Sequence, residues 1–525
     1  MIFADSAVAI DEIIDGKRLH HHRWRWAFLG LTVCLSGFVV GASALAIDHW
    51  NAASFIALVL IGLCAVWIAG GAATAVIGTL ETNTKARSAP ADWTPSTKTA
   101  VLVTLCGEDP KPVATYLAGL RSGLVAHDLA QSVAIFVLSD TQDRNCAAAE
   151  EVAFADLSAS GQITYRRRVD NVDRKPGNIA EWIHAHGAAF DHMIVLDADS
   201  RMTAARINRL IWRLEANPRT GLIQAGMALV PAQTRFGHHQ RNAVRLLAGN
   251  FGRGMAAWAG SSGNYWGHNA IIRLSAFRTA VPLPRLTGNA PLGGSILSHD
   301  FIEAAWIRRA GWMIELDHDV RGSAEDGPQT LESFHRRDRR WCQGNLQHLR
   351  LILTPGLHPI SRLHLLGGIL GYLASPLWLA LVALIAFGWI PIAGVYPLFA
   401  VLMVLLIPHV CAAVTWARRA KNRRHRLIVA RAWINQLFLS SVVAPLIMVR
   451  QAASVGSVLM GRDCGWKSGR QRTMHLPDGV IEASIGLAIL GLSLAIGPQV
   501  TIWLVPLLAP LLLAPIIIRL LNAPR

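Results

Sequence analysis

Apolar and polar positions follow two different patterns along this chain. Near both ends, apolar stretches run uninterrupted for about twenty residues, the length a helix needs to cross a bilayer. In the middle, short apolar runs alternate with amphipathic segments. The long stretches cover Trp26 to Ile47, Ala53 to Leu80, Leu365 to Phe387, Ile392 to Trp416, Val480 to Ile496 and Val500 to Leu521, which predicts six spans. The stretch Ile434 to Met460 is apolar enough to cross, yet both its flanks are basic: Arg424 and Arg426 before it, Arg462, Lys467, Arg470 and Arg472 after it. A single crossing would put one basic flank outside. An interfacial or re-entrant placement keeps both inside and is the arrangement expected.

The middle reads as a soluble domain over 95–353, with an interfacial helix at 335–353. Thr99 to Leu105 and Val133 to Leu138 are buried-strand patterns, joined by shorter strands at Ile163 to Arg167 and Met193 to Leu196. Helices are expected over Val113–Leu129, Ala147–Leu157, Asn178–His186 and Ala204–Ala216. Strands alternating with helices predict an α/β fold with a mostly parallel sheet covered on both faces. The full order is then a basic N-terminus (1–25), two transmembrane helices (26–80), the α/β domain, a transmembrane hairpin (365–416), the interfacial segment (434–460), a basic loop (461–478) and a second hairpin (480–521). No internal repeat interrupts it.

Composition agrees with that division. Of 525 residues 52% are hydrophobic and 16% are charged, against about 25% charged in soluble domains. The net charge of +16 is expected from the positive-inside bias of membrane proteins. Lys17, Arg18, Arg23 and Arg25 before the first span, and the run Arg418 to Arg426, predict a cytoplasmic N-terminus and a cytoplasmic loop. His20, His21 and His22 read as a polar flank near headgroups rather than a metal site. No nucleic-acid motif accompanies the positive charge, so nucleic acid is not an expected partner; anionic lipid headgroups and a nucleoside diphosphate are. Seven cysteines, an odd number with no CxxC pair, fit a reducing compartment and argue against a disulfide framework or zinc. No cleavable signal peptide is expected at the N-terminus.

The candidate chemistry lies at the ends of the predicted strands, where open α/β sheets bind ligands. Asp197 and Asp199 flank Ala198 directly after an apolar strand. Two carboxylates in that spacing can hold a hard divalent cation against a diphosphate; the plainer alternative is a polar turn. Asp140 closes another strand, suited to a uracil or ribose or simply to a helix cap. Glu108 and Asp109 close the first strand and frame a nucleoside or form a Pro-terminated turn. Lys175 offers a charge to phosphate and Asn178 a cap, while Arg166, Arg167, Arg168 and Arg174 read as a solvated basic loop. Asp300 begins a helix in Ser298-His299-Asp300, with Glu303 one turn on: a base for an acceptor hydroxyl, a capping box, or both. Arg337 to Trp341 is a cationic-aromatic cluster for pyrophosphate and sugar, equally consistent with an interfacial helix. Tyr265 to Ala270 is an acceptor wall or a buried turn. The set as a whole reads as a nucleotide-sugar transferase held against a membrane.

The ordered motifs SDT, DRKPGN, LDADS, YWGHNAIIR, GSILSHDFIEAA and RRDRRWCQGNL resemble the glucans biosynthesis glucosyltransferase H family, within the processive family-2 inverting transferases related to cellulose synthase. The resemblance implies a GT-A type domain in the cytosol of a bacterial inner-membrane protein. It also implies UDP-glucose as donor, Mg²⁺ (or Mn²⁺) as cofactor and a growing glucan chain as acceptor, with a β-1,2 backbone of osmoregulated periplasmic glucans exported as product. It implies roles as well: Asp140 contacts uridine, Asp197 and Asp199 hold the metal, Asp300 is the general base with His299 beside it, and Arg340 and Trp341 end the Gln-x-x-Arg-Trp motif. Arg337 stands where that motif has glutamine, which argues against cellulose. The stretch Asp463 to Ser468 lies where cellulose synthases carry a gating loop. A periplasmic glucan-modifying partner and an acyl carrier protein are implied as partners. Rival readings are another polysaccharide synthase, a lipid-linked glycosyltransferase, or a non-catalytic export subunit.

Overall fold

The computed structural model of the chain describes residues 2–81, 89–90, 92–390, 394–464 and 478–525, with side chains from 21 onward. Most of the basic loop 461–478 and the cationic cluster before residue 21 therefore lie outside the described residues or side chains.

Strands β1 (Thr99–Leu105), β2 (Val133–Ser139), β3 (Thr164–Arg167) and β4 (His192–Asp197) form a parallel array with β1 between β2 and β4. Their side chains alternate between two cores, as the two-residue period of a strand requires. Val101, Val103 and Leu105 enter one core, and Ala100 and Leu102 the other. Helices α3 (Pro110–Ala126), α4 (Arg144–Ala159) and α6 (Ala204–Glu215) cover the first face through Leu117, Phe154 and Ile211. Helices α5 (Arg174–His186), α9 (Leu274–Phe277) and α10 (His299–Arg309) cover the second through Trp182, Phe277 and Ile307. Each fully buried aliphatic or aromatic residue here stabilises the fold by about 1.5–3 kcal/mol.

Beyond β4 the sheet becomes mixed. Strand β8 (Ala270–Arg273) inserts antiparallel between β4 and β6 (Thr220–Ala225), and β9 (Met313–Asp317) pairs parallel with β6, giving the order β3-β2-β1-β4-β8-β6-β9. A small sheet, β5 (Ser200–Met202), β10 (Ser323–Glu325) and β7 (Ala228–Leu229), lies beside the end of β4. The result is a GT-A-like fold with a mostly parallel sheet.

The membrane-type helices are α1 (Ile2–Leu45), α2 (Ala52–Leu80), α12 (Pro359–Ala386), α13 (Tyr396–Arg419), α14 (Arg423–Leu459), α15 (Val480–Ile496), α16 (Pro498–Leu512) and α17 (Ala514–Asn522). By length and composition five qualify as spans: 21–45 of α1, α2, α12, α13 and α14. The pair α16–α17, bent by 52°, makes up to six. This set differs from the expected one. Helix α15 has 17 residues, about 26 Å at 1.5 Å per residue, short of the roughly 30 Å hydrocarbon core.

Helix α14 is continuous over 37 residues, so the segment 434–460 has no break of the kind a re-entrant loop needs. A third of the way along it, Gln436 donates to Ser440 within the helix at 3.2 Å. At its end Arg339 of α11 (Leu331–Gln347) donates to Ser457 at 3.1 Å, and Gln343 of α11 donates to Asp463 at 2.6 Å. The C-terminal end of the helix thus meets the catalytic domain.

Helix α8 (Gly249–Ala259) joins that domain to α2 with almost no space between the backbones. A Cβ added at Gly78 would lie 1.9 Å from the Asn250 carbonyl oxygen, and one at Gly254 1.9 Å from that of Thr74. Asn250 seals the contact by donating to Ala75 O at 2.9 Å. Small residues allow this approach, as they do between membrane helices.

Candidate active site

The carboxyl ends of β1, β2 and β4 open on one side because the strands are parallel and in register. Glu108, Asp140 and Asp197 are therefore brought together at one rim. Glu108 turns back to accept the Cys106 amide at 2.6 Å, and Asp109 caps α3, so the turn reading holds for Asp109.

Asp140 is not a helix cap; Asp143 performs that task for α4. Asp140 is 5% exposed. Arg168 pairs with both its oxygens and Asn178 donates to one of them at 3.0 Å. Arg168 is accordingly buried, against the expectation of a solvated loop. Arg166 also leaves solvent, bonding Asn178 and Glu181.

Asp197 is held by Lys175, whose ammonium also donates to the Gly267 carbonyl at 2.7 Å. Lys175 lies in the first turn of α5 rather than before it. Burial pushes the Asp197 carboxyl up, but Lys175, His268 and a bond from Thr104 outweigh that and hold it well below the usual range. Asp199 behaves oppositely: burial, then the charge of Asp197, raise it to about 6. Among the described residues no hydrogen bond or ion pair engages the Asp199 carboxylate. Two adjacent acids, one of them unneutralised, suit a divalent cation. Among the described residues no group of three or more His, Cys, Asp or Glu is arranged to hold one. The remaining oxygens would have to come from phosphate and water, as is usual for Mg²⁺.

Asp300 faces the same bridge. It sits in the first turn of α10, after Ser298, so it is not the cap, and Glu303 bonds His299 at 3.0 Å instead of closing a capping box. A Cβ on Gly267 would lie 3.4 Å from Asp300 Oδ2, and Gly267 has φ +87°, a conformation and a space that favour glycine. Tyr265, 1% exposed, donates to the same Gly267 carbonyl at 2.8 Å. The stretch Tyr265 to Ala270 is thus a buried turn that also forms the floor under Asp300. Burial raises the Asp300 carboxyl, partly opposed by His299. For His299 burial works downward, but Glu303 outweighs it and the imidazole is raised. The imidazole ring therefore lies beside the carboxyl, and the charge of each favours the charged form of the other.

Helix α11 supplies the cations. Arg337 lies over the Trp341 ring at 4.4 Å and donates to Glu325 at 3.2 Å. Trp341 is 46% exposed, so part of its surface stays open. Arg340 lies within electrostatic range of Glu108, Arg336 and Arg337, which places it at the same rim. The sequence reading missed the next turn of this helix. Gln343, Gly344, Gln347 and His348 pack against residues 291–298, the segment that leads into Asp300. The only signal for them was their position directly after the cationic motif.

An acidic pair at a strand end, a carboxylate across the cleft and a cationic helix, on a GT-A-like fold, define a glycosyltransferase attached to membrane-type helices. The model of the glycosyl transferase family group 2 matches residues 192–417, from β4 through the acidic pair to α13. Glucans biosynthesis glucosyltransferase H of Cereibacter sphaeroides is 34% identical, over 94% of this chain and 89% of its own. The proteins of the same name from Bradyrhizobium diazoefficiens and Vibrio cholerae are 37% and 36% identical, over 88% and 86% of this chain and 68% of each of theirs. The chain belongs to the glucans biosynthesis glucosyltransferase H family. A mannosyltransferase from Pyrobaculum calidifontis, solved with GDP-Man and Mn²⁺, aligns at TM-score 0.47 and 12% identity, over 77% of this chain and 99% of that one.

Proposed function

We propose that this protein is an inverting, processive glucosyltransferase that polymerises glucose from UDP-glucose into a β-linked glucan and exports it. The β-1,2 linkage, the bacterial inner membrane and the cytoplasmic catalytic domain follow from the family resemblance. So do the glucan-modifying partner and the acyl carrier protein. The basic turn between α13 and α14 supports the orientation.

The observation that carries the reading is the Lys175 bridge. It joins Asp197 to the Gly267 carbonyl directly beneath Asp300. The donor side and the acceptor side of the cleft thereby share one floor. Glu108 and Asp140 frame the nucleoside end. Asp300 Oδ2 takes the proton of an acceptor hydroxyl, and that oxygen attacks the anomeric carbon on the face opposite UDP. The departing β-phosphate keeps the bonding electrons, and Arg340 with Arg337 stabilises the charge that grows there. His299 favours the ionised form of Asp300, opposing the effect of burial. Trp341 offers its free surface to the sugar. A divalent cation, Mg²⁺ or Mn²⁺, held by Asp199 and Asp197 would neutralise diphosphate charge as a Lewis acid. Helix α14, whose two flanks are both basic, lies along the membrane face in this reading rather than across it.

The test is UDP release and product linkage from the detergent-purified full chain with UDP-glucose and Mg²⁺, beside Asp300→Asn. Release that depends on Asp300 and yields a β-1,2-glucose polymer is the expected result. Full polymer synthesis by Asp300→Asn would overturn the base assignment.

A further inference from the structure

Helix α11 carries two working sets of side chains along its length. Arg337, Arg340 and Trp341 come first. Gln343 and Gln347 follow in the next turns, four residues apart and therefore stacked on one side of the helix. Both glutamines are almost fully buried, at 2% and 1% exposure. A buried amide must find partners, and these find them in the backbone of the segment before Asp300.

Gln347 donates to the carbonyls of Pro291 at 3.1 Å, Ser295 at 3.3 Å and Gly293 at 3.4 Å, and accepts from the Leu297 amide at 2.9 Å. Gln343 also donates to Pro291 O at 3.2 Å. Its oxygen accepts the Cys464 amide at 2.8 Å. His348 bonds the Ser298 carbonyl at 2.9 Å. Gly344, between them, leaves no room for a Cβ, which would lie 2.2 Å from Ser298 Oγ. The segment 291–298 has no regular strand or long helix of its own. Its shape is set largely by one amide side chain reading several of its peptide groups.

We propose that Gln347 is a positioning residue for the reaction: it holds the segment 291–298 so that Asp300 stays at a set distance from the cations about two to three turns earlier on the same helix. The helix acts as a ruler between the leaving group and the base. This rests on the reading of Asp300 as the base. Gln347 touches neither donor nor acceptor in it, so its removal acts only through Asp300. A base displaced by about 1 Å costs on the order of a hundredfold in rate.

The experiment compares the full-length chain with Gln347→Ala and Gln347→Glu in detergent. Alanine leaves space for bridging water; glutamate keeps the acceptor for Leu297 but loses the donors. Two quantities are read: kcat for UDP release during polymer synthesis, and the Kd for UDP by calorimetry. The expected result is a kcat lowered about tenfold to a hundredfold with the Kd for UDP within about twofold, because Arg337 and Arg340 themselves are untouched. An unchanged kcat overturns the proposal. Loss of kcat and UDP binding together in both variants also overturns it, since Gln347 would then merely hold the helix. The control Asp300→Asn separates the two ideas. If that variant keeps full synthesis, the base reading fails; if it is inactive while both Gln347 variants are normal, only the ruler fails.

Discussion

Lys175 governs how much negative charge the cleft carries. It neutralises Asp197, and its charge also reaches Asp300 and His299. Lys175→Met would leave Asp197 and Asp199 side by side with less compensation. The Asp197 side chain is 38% exposed, so solvent screens part of the loss. A charged hydrogen bond of about 1.5–3 kcal/mol converts to roughly tenfold to a hundredfold in kcat/KM for the donor. Steady-state UDP release checks this, and unchanged kinetics would remove Lys175 from donor binding. At this scale the acids were legible, because a DxD after an apolar strand, or an acid at a strand end, is a local pattern. Their partners were not. The pairing of Lys175 with Asp197 or of Arg168 with Asp140 depends on which strands become neighbours, and the arginine run looked like solvated charge.

Among elements, the early strands and helices were legible because each is long enough to show its period. Strands β5, β7, β8 and β10, with two to four residues each, are too short to show one. They exist through pairing with distant segments, as Ala270–Arg273 does with β4 and β6. Helix α11 was read as a cationic cluster on an interfacial helix, but its glutamine face was silent, since buried amides look polar in sequence. Its packing gives a prediction that contrasts two glycines. Gly344→Ala would drive a Cβ into Ser298, while a Cβ at Gly119 on α3 meets nothing within 4 Å. The first should destabilise by about 1–3 kcal/mol through overpacking and lower activity. The second should be neutral or stabilising by up to about 1 kcal/mol, the helix preference of alanine over glycine. Thermal melting of the two variants beside the parent measures both, and equal shifts would refute the close packing of α11 on the base segment.

At the scale of the whole molecule, the membrane-type helices and the catalytic domain meet where α8 packs on α2 and where α11 meets the end of α14. Helix α14, 37 residues long, counts as a span by composition, where its basic flanks predict an interfacial segment. Burial in the sheet, beside the base segment and at the α11–α14 contact also perturbs histidines. His192, His335 and His348 are each lowered to about 4, foremost by burial, with Arg273 adding at His192 and Arg450 and Arg339 at His335. In the folded chain they stay neutral down to about pH 4, whereas in the unfolded chain they protonate below about 6.5. Between those values the unfolded state binds more protons, so stability rises with pH across the window and is lost on acidification. From pH 7 to 5 each costs on the order of 1–2 kcal/mol. Carboxylates with depressed values, such as Asp319, act below about pH 4 and do not enter this range. Asp199, raised to about 6, works the other way within it, so the histidine share must be isolated. The Tm of the purified protein should fall from pH 7 to pH 5, and His192→Gln should narrow that difference. A Tm difference that is the same with and without His192 would mean that this ring is already charged, or reaches water, in the folded protein.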